Sequence, residues 1–542
     1  MEIKNKELAE YCMYCNGNIF TSDEENPYAD AMLVQDGKIQ WIGKEEQAPP
    51  TECKKYNLEG ACVIPGLIDA HMHPMMLADY SQQISALPPE VCSIEELVQK
   101  IKERRLHQKP GEWILGWGYD EGKFAEKRSI TRYDLDRGCS DAPVSIVRTC
   151  GHIRCVNSKA LELAGISRST PDPEGGEIER DDSGEPTGVL KESARNLITK
   201  WMPKDSREDQ IEKLVDLGKL LLSQGVTAAA DMGNLEPGDN LSLFQEAAKK
   251  GWKQRTAVYR MWEFFKDDPS FDITEEEMNR DQQIFAAGLK LIGDGSVSGR
   301  TAWMDRPYCG KKKEYGMPVL TKEQLESAIA FCKEHHCQLS IHAMGTRTIA
   351  MAVDRICRES SWMKEEIPSV RIEHVTDPDR ESVKRAAEHN IAVVTQPIFM
   401  YAEVESYQKN LGGDWMKQCY PVRYMLDHGV LLCFSTDAPA TAWAVPSNPF
   451  PNLKAAVTRK AYDGTDCGRD QAVDIETAVK LYTIKAAKII GFHGIGMLKK
   501  GYQADFIVLD RDIFQSNLDE LDQTEVLEAY IHGTCVYQRQ IE

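Results

Sequence analysis

The chain contains no apolar run approaching the roughly 20 residues that a membrane-spanning helix needs. That absence argues against an integral helical membrane protein. Basic residues are also in deficit: 65 lysines and arginines face 85 aspartates and glutamates, for a formal net charge of −20. Nucleic acids and anionic membrane surfaces both require a basic footprint, so neither is expected as a partner. The first residues, MEIKNKELAEY, offer no apolar core for a signal peptide. With 16 scattered cysteines in a long chain, the expectation is a cytoplasmic protein with reduced thiols. The one CxxC, Cys12 and Cys15, has no second pair to complete a zinc site and reads as a strand that holds two cysteines. The segment GDGSVSGR lacks both the Lys-Ser/Thr of a phosphate-binding loop and the GxGxxG spacing, so it reads as an ordinary loop.

What is present is globular. Apolar residues make up 42% and charged residues 28% of 542 positions, a length that suits one large domain with a smaller one. Short strand-like runs occupy the first 64 residues, among them AMLVQ and IQWIG around the hairpin signal DGK. ADFIVLD and EAYIHGTCVYQ near the other end alternate in the same way, the second turning at His532-Gly533. Residues 1–64 and 491–542 are therefore expected to form one composite β-domain. Between them, eight apolar runs recur: VIPGLIDAHMH (63–73), GVTAAADMG (225–233), QRTAVYRMW (254–262), GLKLIGDG (288–295), QLSIHAM (338–344), VRIEHV (370–375), IAVVTQP (391–397) and VLLCFSTDAP (430–439). Helical stretches such as KEQLESAIAFCKEHH and DPDRESVKRAAEHN separate several of them. Alternation of this kind marks βα units, and eight strands are the count of a barrel with its chemistry at the C-terminal strand ends. The fold class expected is α/β: a (β/α)8 TIM-like barrel over 65–490 and a small β-sandwich domain built from both termini. The gap over about 80–224 is too long for a simple connection and reads as an inserted subdomain after the first barrel strand. It carries a hairpin, GEIERDDSGEPTGVL, turning at Asp182-Ser183-Gly184.

Within VIPGLIDAHMHP, strand alternation points Asp69, His71 and His73 the same way, which makes half a metal site. The other half is sought at other strand ends. His342 ends QLSIH, His374 ends VRIEH and Asp437 follows VLLCFST. Any one of these histidines has a bland structural explanation, but four of 12 at strand ends, with an aspartate closing the last run, form a constellation. Neutral imidazoles with a carboxylate suit zinc, and also manganese or iron. The remaining histidines at 107, 335, 336, 389, 428, 493 and 532 fall in helix or turn contexts and read as structural or solvated. Lys290 lies inside a barrel run, where an ammonium is costly to bury. It is either ion-paired with an acid such as Asp294 or carboxylated by CO2 to a metal-bridging carbamate. Glu192 in TGVLKES offers a rival carboxylate, with a surface position as its ordinary reading. Trp117, Asp120, Arg148 and His152 of the insertion are candidates to line the substrate pocket, and Asp294, on the same strand face as Lys290, is a candidate either to support the ligands from behind or to contact substrate.

The motifs GLIDAHMHP, GWGYD, GHIRCVNSKAL, GGEIERDDSGEPTGVL, LIGDGSVSGRTA, SIHAMG, RIEHV, STDAP and KKGYQADFIVLD run across nearly the whole chain. Together they resemble the metal-dependent amidohydrolase superfamily, in the branch that includes N-substituted formamide deformylase. The resemblance implies that His71 and His73 hold one metal with Asp437, that His342 and His374 hold a second, and that Lys290, if carboxylated, bridges them. Zn2+ is the metal implied; one or two ions per chain both fit the pattern. Asp437 would move the proton as water attacks a carbonyl and the C–N bond breaks. The activity implied is hydrolysis of an amide-like bond in a small organic molecule, an N-acyl or N-formyl amine being the leading substrate class. Deamination of an aminated ring is the alternative. Deaminases of this fold tend to carry a glutamate three residues after the fifth-strand histidine, and Gly345 stands there. An esterase or carbamate hydrolase on the same barrel also stays open, as does a homodimer.

Overall fold

The computed structural model describes residues 11–109, 111–149, 151, 153–233 and 237–540. Its largest sheet has eight parallel strands: β1 Leu67–Met72, β2 Val226–Asp231, β3 Arg255–Met261, β4 Ile284–Ile292, β5 Gln338–Ala343, β6 Val370–His374, β7 Ala392–Thr395 and β8 Leu432–Phe434. They pair in sequence order and curl into a TIM-like barrel. These runs are apolar throughout because both faces of a parallel sheet are covered; every residue of β1 and β2 is buried. Small side chains fill the interior, among them Ala70, Ala228, Ala230, Ala257, Ala287 and Ala392. The seam between β1 and β8 is joined partly by a side chain. Asp69 accepts hydrogen bonds from Thr436 N (3.2 Å) and Thr436 Oγ1, while Asp437 N donates to His71 O (2.8 Å).

The run 63–73, expected as one strand, is two. Cys62–Pro65 belongs to another sheet, and β1 begins at Leu67. Gly66 makes the transition where no other residue fits, since a Cβ there would lie 2.2 Å from Thr227 Oγ1. Cys62–Pro65 pairs with Asn18–Phe20 on one side and with Phe506–Leu509 on the other, in a six-stranded sheet drawn from both ends of the chain. A four-stranded sheet around Cys12–Cys15 faces it. Tyr14, Met32, Val63, Phe506 and Tyr530 pack in the layer between, which makes a β-sandwich. Cys12 and Cys15 lie on a strand, as expected.

The chain divides into two compact units. One holds the barrel and the sandwich (residues up to His73, 214–438 and from 447 on); the other comprises 74–213 and 439–446. The second unit is built on a six-stranded mixed sheet with its own core, including Ile94, Val98, Ile114, Val144 and Ile146. The expected hairpin is there as Gly176–Arg180 against Pro186–Glu192. Its turn is held by Asp181 accepting from Ser183 N and Glu185 N. Among the described residues no helix is long and apolar enough to cross a membrane.

Candidate metal centre

Strand register gathers the site. Lys290 pairs with Ser340, Ser340 with Arg371, His342 with Glu373 and Ala343 with His374, so neighbouring strands end at one level. His71, His374 and Asp437 are buried and each offers a ligand atom within 4.8 Å of the others. The ring of His374 lies 5.0 Å from that of His71 and 4.4 Å from that of His342, and the His71 and His73 rings are 5.5 Å apart. His374, Val375 and Asp437 all have left-handed backbone, at φ of 75°, 49° and 56°. Non-glycine residues adopt that region at a cost, and such strain concentrates where side chains must be aimed.

Each imidazole has one nitrogen committed to an acceptor. His73 Nδ1 donates to Gly233 O (2.7 Å), and His342 Nε2 to Gly295 O (3.1 Å). His374 Nδ1 donates to Gln396 Oε1 (2.8 Å), whose amide nitrogen is turned to Ser435 Oγ (2.8 Å). His71 Nδ1 donates to Glu373 Oε2 (2.6 Å). Glu373 is fully buried, and Arg371 and His71 beside it overcome its desolvation and hold its carboxyl well below the usual range. These partners fix the tautomers and leave a bare lone pair on Nε2 of His71, His73 and His374 and on Nδ1 of His342.

Two of those lone pairs converge on one oxygen. His71 Nε2 stands 3.2 Å and His73 Nε2 3.4 Å from Asp437 Oδ1, yet that oxygen receives no hydrogen bond. Three lone pairs facing one another require a cation between them. For His73 a proton could serve: burial works against it, but the Asp437 carboxylate beside it outweighs burial and raises its pKa. For His71 and His374 burial pushes the pKa down, with Lys290 adding to it for the first and His342 for the second. The donor set of imidazole nitrogen and carboxylate oxygen therefore suits a divalent metal. Lys290 Nζ is a second orphan, buried with no hydrogen-bond partner. Burial lowers its pKa to about 8, against the opposing charges of Glu373 and Asp437.

This centre lies within a chain whose residues 54–537 match the model of the amidohydrolase family. The chain belongs to that family. It is 30% identical over 96% of its length, and 98% of the relative's, to the Bacillus subtilis (strain 168) protein YtcJ, named as an amidohydrolase. It is 29% identical to N-substituted formamide deformylase of Arthrobacter pascens, over 97% of this chain and 98% of that one. An uncharacterised metal-dependent hydrolase from Pyrococcus horikoshii superposes with a TM-score of 0.73 at 25% identity, covering 94% of this chain and 99% of the other. This amidohydrolase is thus an enzyme that hydrolyses carbon–nitrogen bonds, and its family implies a small-molecule substrate.

The other expected site residues are placed differently. Asp294 is buried and accepts from Met344 N (3.0 Å), Gly345 N (2.9 Å), Trp303 N (2.8 Å) and Thr348 Oγ1 (2.9 Å), with His342 Nε2 at 3.5 Å. Those donors fix the loop after β4 against the end of β5. Trp117, Asp120 and Arg148 belong to the second unit. Trp117 is buried and stacks on Tyr80 at 4.9 Å. Arg148 forms a two-pronged pair with Glu121 (2.8 Å each), 3.8 Å from Asp120. His152 lies outside the described residues, and Glu192 is exposed. Glu373, Arg371 and Gln396 were not anticipated. The readable signal was an Arg-x-Glu pair inside a strand that should be wholly apolar.

Proposed function

We propose that this amidohydrolase cleaves an amide-like C–N bond of a small organic substrate, an N-formyl or N-acyl amine, at the centre bounded by His71, His73, Lys290, His342, His374 and Asp437. The observation that carries this reading is the convergence of tautomer-fixed imidazole nitrogens on Asp437 beside an unpaired Lys290. One or two divalent ions held by these residues, zinc being the best match to the donors, would supply an acidified water and polarise the substrate carbonyl. Asp437 takes the proton of the attacking water on its carboxylate and passes it to the leaving nitrogen. Its carboxyl stays ionised for this because the imidazoles of His71, His73 and His374 around it outweigh the penalty of burial. Lys290, its pKa lowered by burial to about 8, has a larger free-amine fraction than an exposed lysine to add CO2, giving a carbamate and releasing a proton. The relative named N-substituted formamide deformylase supports the formyl amine as substrate class.

Ring deamination fits less well, for a steric reason. A Cβ at position 345 would lie 2.3 Å from Trp303 O, so a glutamate cannot occupy that place without displacing Trp303. Asp294 we read as positioning His342 rather than touching substrate, while Trp117, Asp120, Arg148 and His152 stay as proposed pocket residues. For the division of the chain we keep 1–64 with 491–542, 65–490 and an insertion over about 80–224; the sheet shared by both termini and the compact unit 74–213 support it. A cytoplasmic location follows from the reduced-thiol reading. The test is protein expressed with zinc and bicarbonate, analysed for metal per chain and assayed on N-formyl and N-acyl amines for released amine. Metal bound together with amine release supports the proposal. Ammonia release from ring amines with every amide inert overturns it.

A further inference from the structure

A second cavity, of about 720 Å3, opens at the N-terminal end of the barrel, away from the strand ends that carry the histidines. It is lined by Arg255 and Gln283 at the starts of β3 and β4, by Lys38 and Lys253, and by the turn around His532. In a chain of net charge −20, a cavity that gathers three permanent cations stands out. Among the described residues the one carboxylate in its lining, Asp281, is engaged with His493 (3.3 Å). Lys38 and Lys253 reach the surface and form no ion pair within the described residues.

Arg255 is the buried member, only 7% exposed. Its Nη2 donates to His532 Nε2 (3.0 Å), which marks that imidazole as neutral there. Its Nε has no hydrogen-bond partner, and Asp505 Oδ2, 3.9 Å away, is also without one. That Nε is turned to Asp505, so what Arg255 brings to the cavity it lines is a fixed positive charge, in part offset by that carboxylate. Asp505 is itself held by His532 N (2.8 Å), which leaves it oriented toward Arg255 without closing the pair. The arrangement is a buried guanidinium in the wall of a cavity that two exposed ammonium groups also line. Arg matches a tetrahedral oxyanion by its planar fork, and lysines add point charge. A volume of several hundred Å3 accommodates a small metabolite rather than a bare ion.

We propose that this cavity binds a small molecule through a phosphoryl group, with Arg255 as its anchor and Lys38 and Lys253 closing on the same anion. The test follows thermal unfolding of the metal-loaded enzyme as inorganic phosphate is raised, against sodium chloride at equal ionic strength, in the native protein and in Lys38→Gln/Lys253→Gln. These two lysines are exposed, so the variant keeps the native midpoint in chloride, and it leaves phosphate binding at the metal centre untouched. The expected result is a saturable rise in midpoint for the native protein and a tenfold or greater loss of apparent phosphate affinity in the double variant. An equal rise in both proteins, or none in either, overturns the proposal. A rise with citrate and none with phosphate overturns the phosphoryl assignment.

Discussion

Replacing Glu373 by glutamine is the sharpest test of the centre, because it changes one atom. The carboxylate accepts from His71 Nδ1 (2.6 Å), Arg371 Nε (2.5 Å), Arg371 Nη2 (2.9 Å) and Ser340 Oγ (2.7 Å). A glutamine keeps one acceptor oxygen and turns an NH2 group toward the other two donors. The less costly orientation aims that NH2 at His71, since Arg371 Nη2 also has Ala70 O (2.6 Å) as an acceptor. His71 then relieves the clash by moving its proton to Nε2, the nitrogen that faces Asp437. Arg371, fully buried, loses its counter-charge, and breaking a buried ion pair on one side costs about 3–5 kcal/mol. Loss of a partner that orients a ligand histidine lowers metal affinity about 10–100-fold. Chemical denaturation of the metal-free protein reads the first quantity and competition with a chelator reads the second. Adding Arg371→Met removes both charges, so it should restore much of the stability and none of the affinity. A Glu373→Gln enzyme that binds metal as tightly as the native protein would refute the tautomer argument.

Three further outcomes are expected. Lys290 has a pKa lowered by burial from 10.5 to about 8, so the native state holds fewer protons than the unfolded chain between those values. The cost of its buried charge, about 3 kcal/mol by the usual 1.36 kcal/mol per pH unit, is fully present below pH 8 and disappears as pH rises toward 10.5. Denaturation of the metal-free protein should show that rise, and Lys290→Met should abolish it; a variant with the native pH slope would place the titration elsewhere. Asp437→Asn should lower kcat by about 10²–10⁴ while circular dichroism stays native, and full turnover would remove its proton-transfer role. Gly345→Ala should destabilise by about 1–3 kcal/mol in a urea titration, because the new methyl meets the Trp303 backbone; an unchanged midpoint would remove the steric case against a glutamate there.

The barrel was legible because a parallel sheet covered on both faces reads as bare apolar runs. The ligands were legible because they break those runs at their ends. The same logic failed where two apolar strands abut: Cys62–Pro65 and β1 share one run, and only the need for glycine at position 66 divides them. Arg371 and Glu373 were missed because they lie on the barrel-facing side of a strand, where charge is tolerated only as a closed network. Asp294 was placed on the face of Lys290, but its four donors come from residues 303 to 348, and no local pattern announces them.

The passage of Cys62–Pro65 through Gly66 into β1 has a consequence for biosynthesis. Cys62–Pro65 leaves the ribosome early, yet its partner Phe506–Leu509 is among the last strands made. Roughly 440 residues separate Pro65 from its partner Phe506, which at about 5–20 residues per second is some 20–90 s of translation. Through that interval Cys62–Pro65 lacks its partner, although β2 and Thr436, which flank β1, have already been made. The sandwich is therefore completed later than the barrel, and a ribosome stalled before residue 506 displays a nascent chain with all eight barrel strands made and Cys62–Pro65 still without Phe506–Leu509.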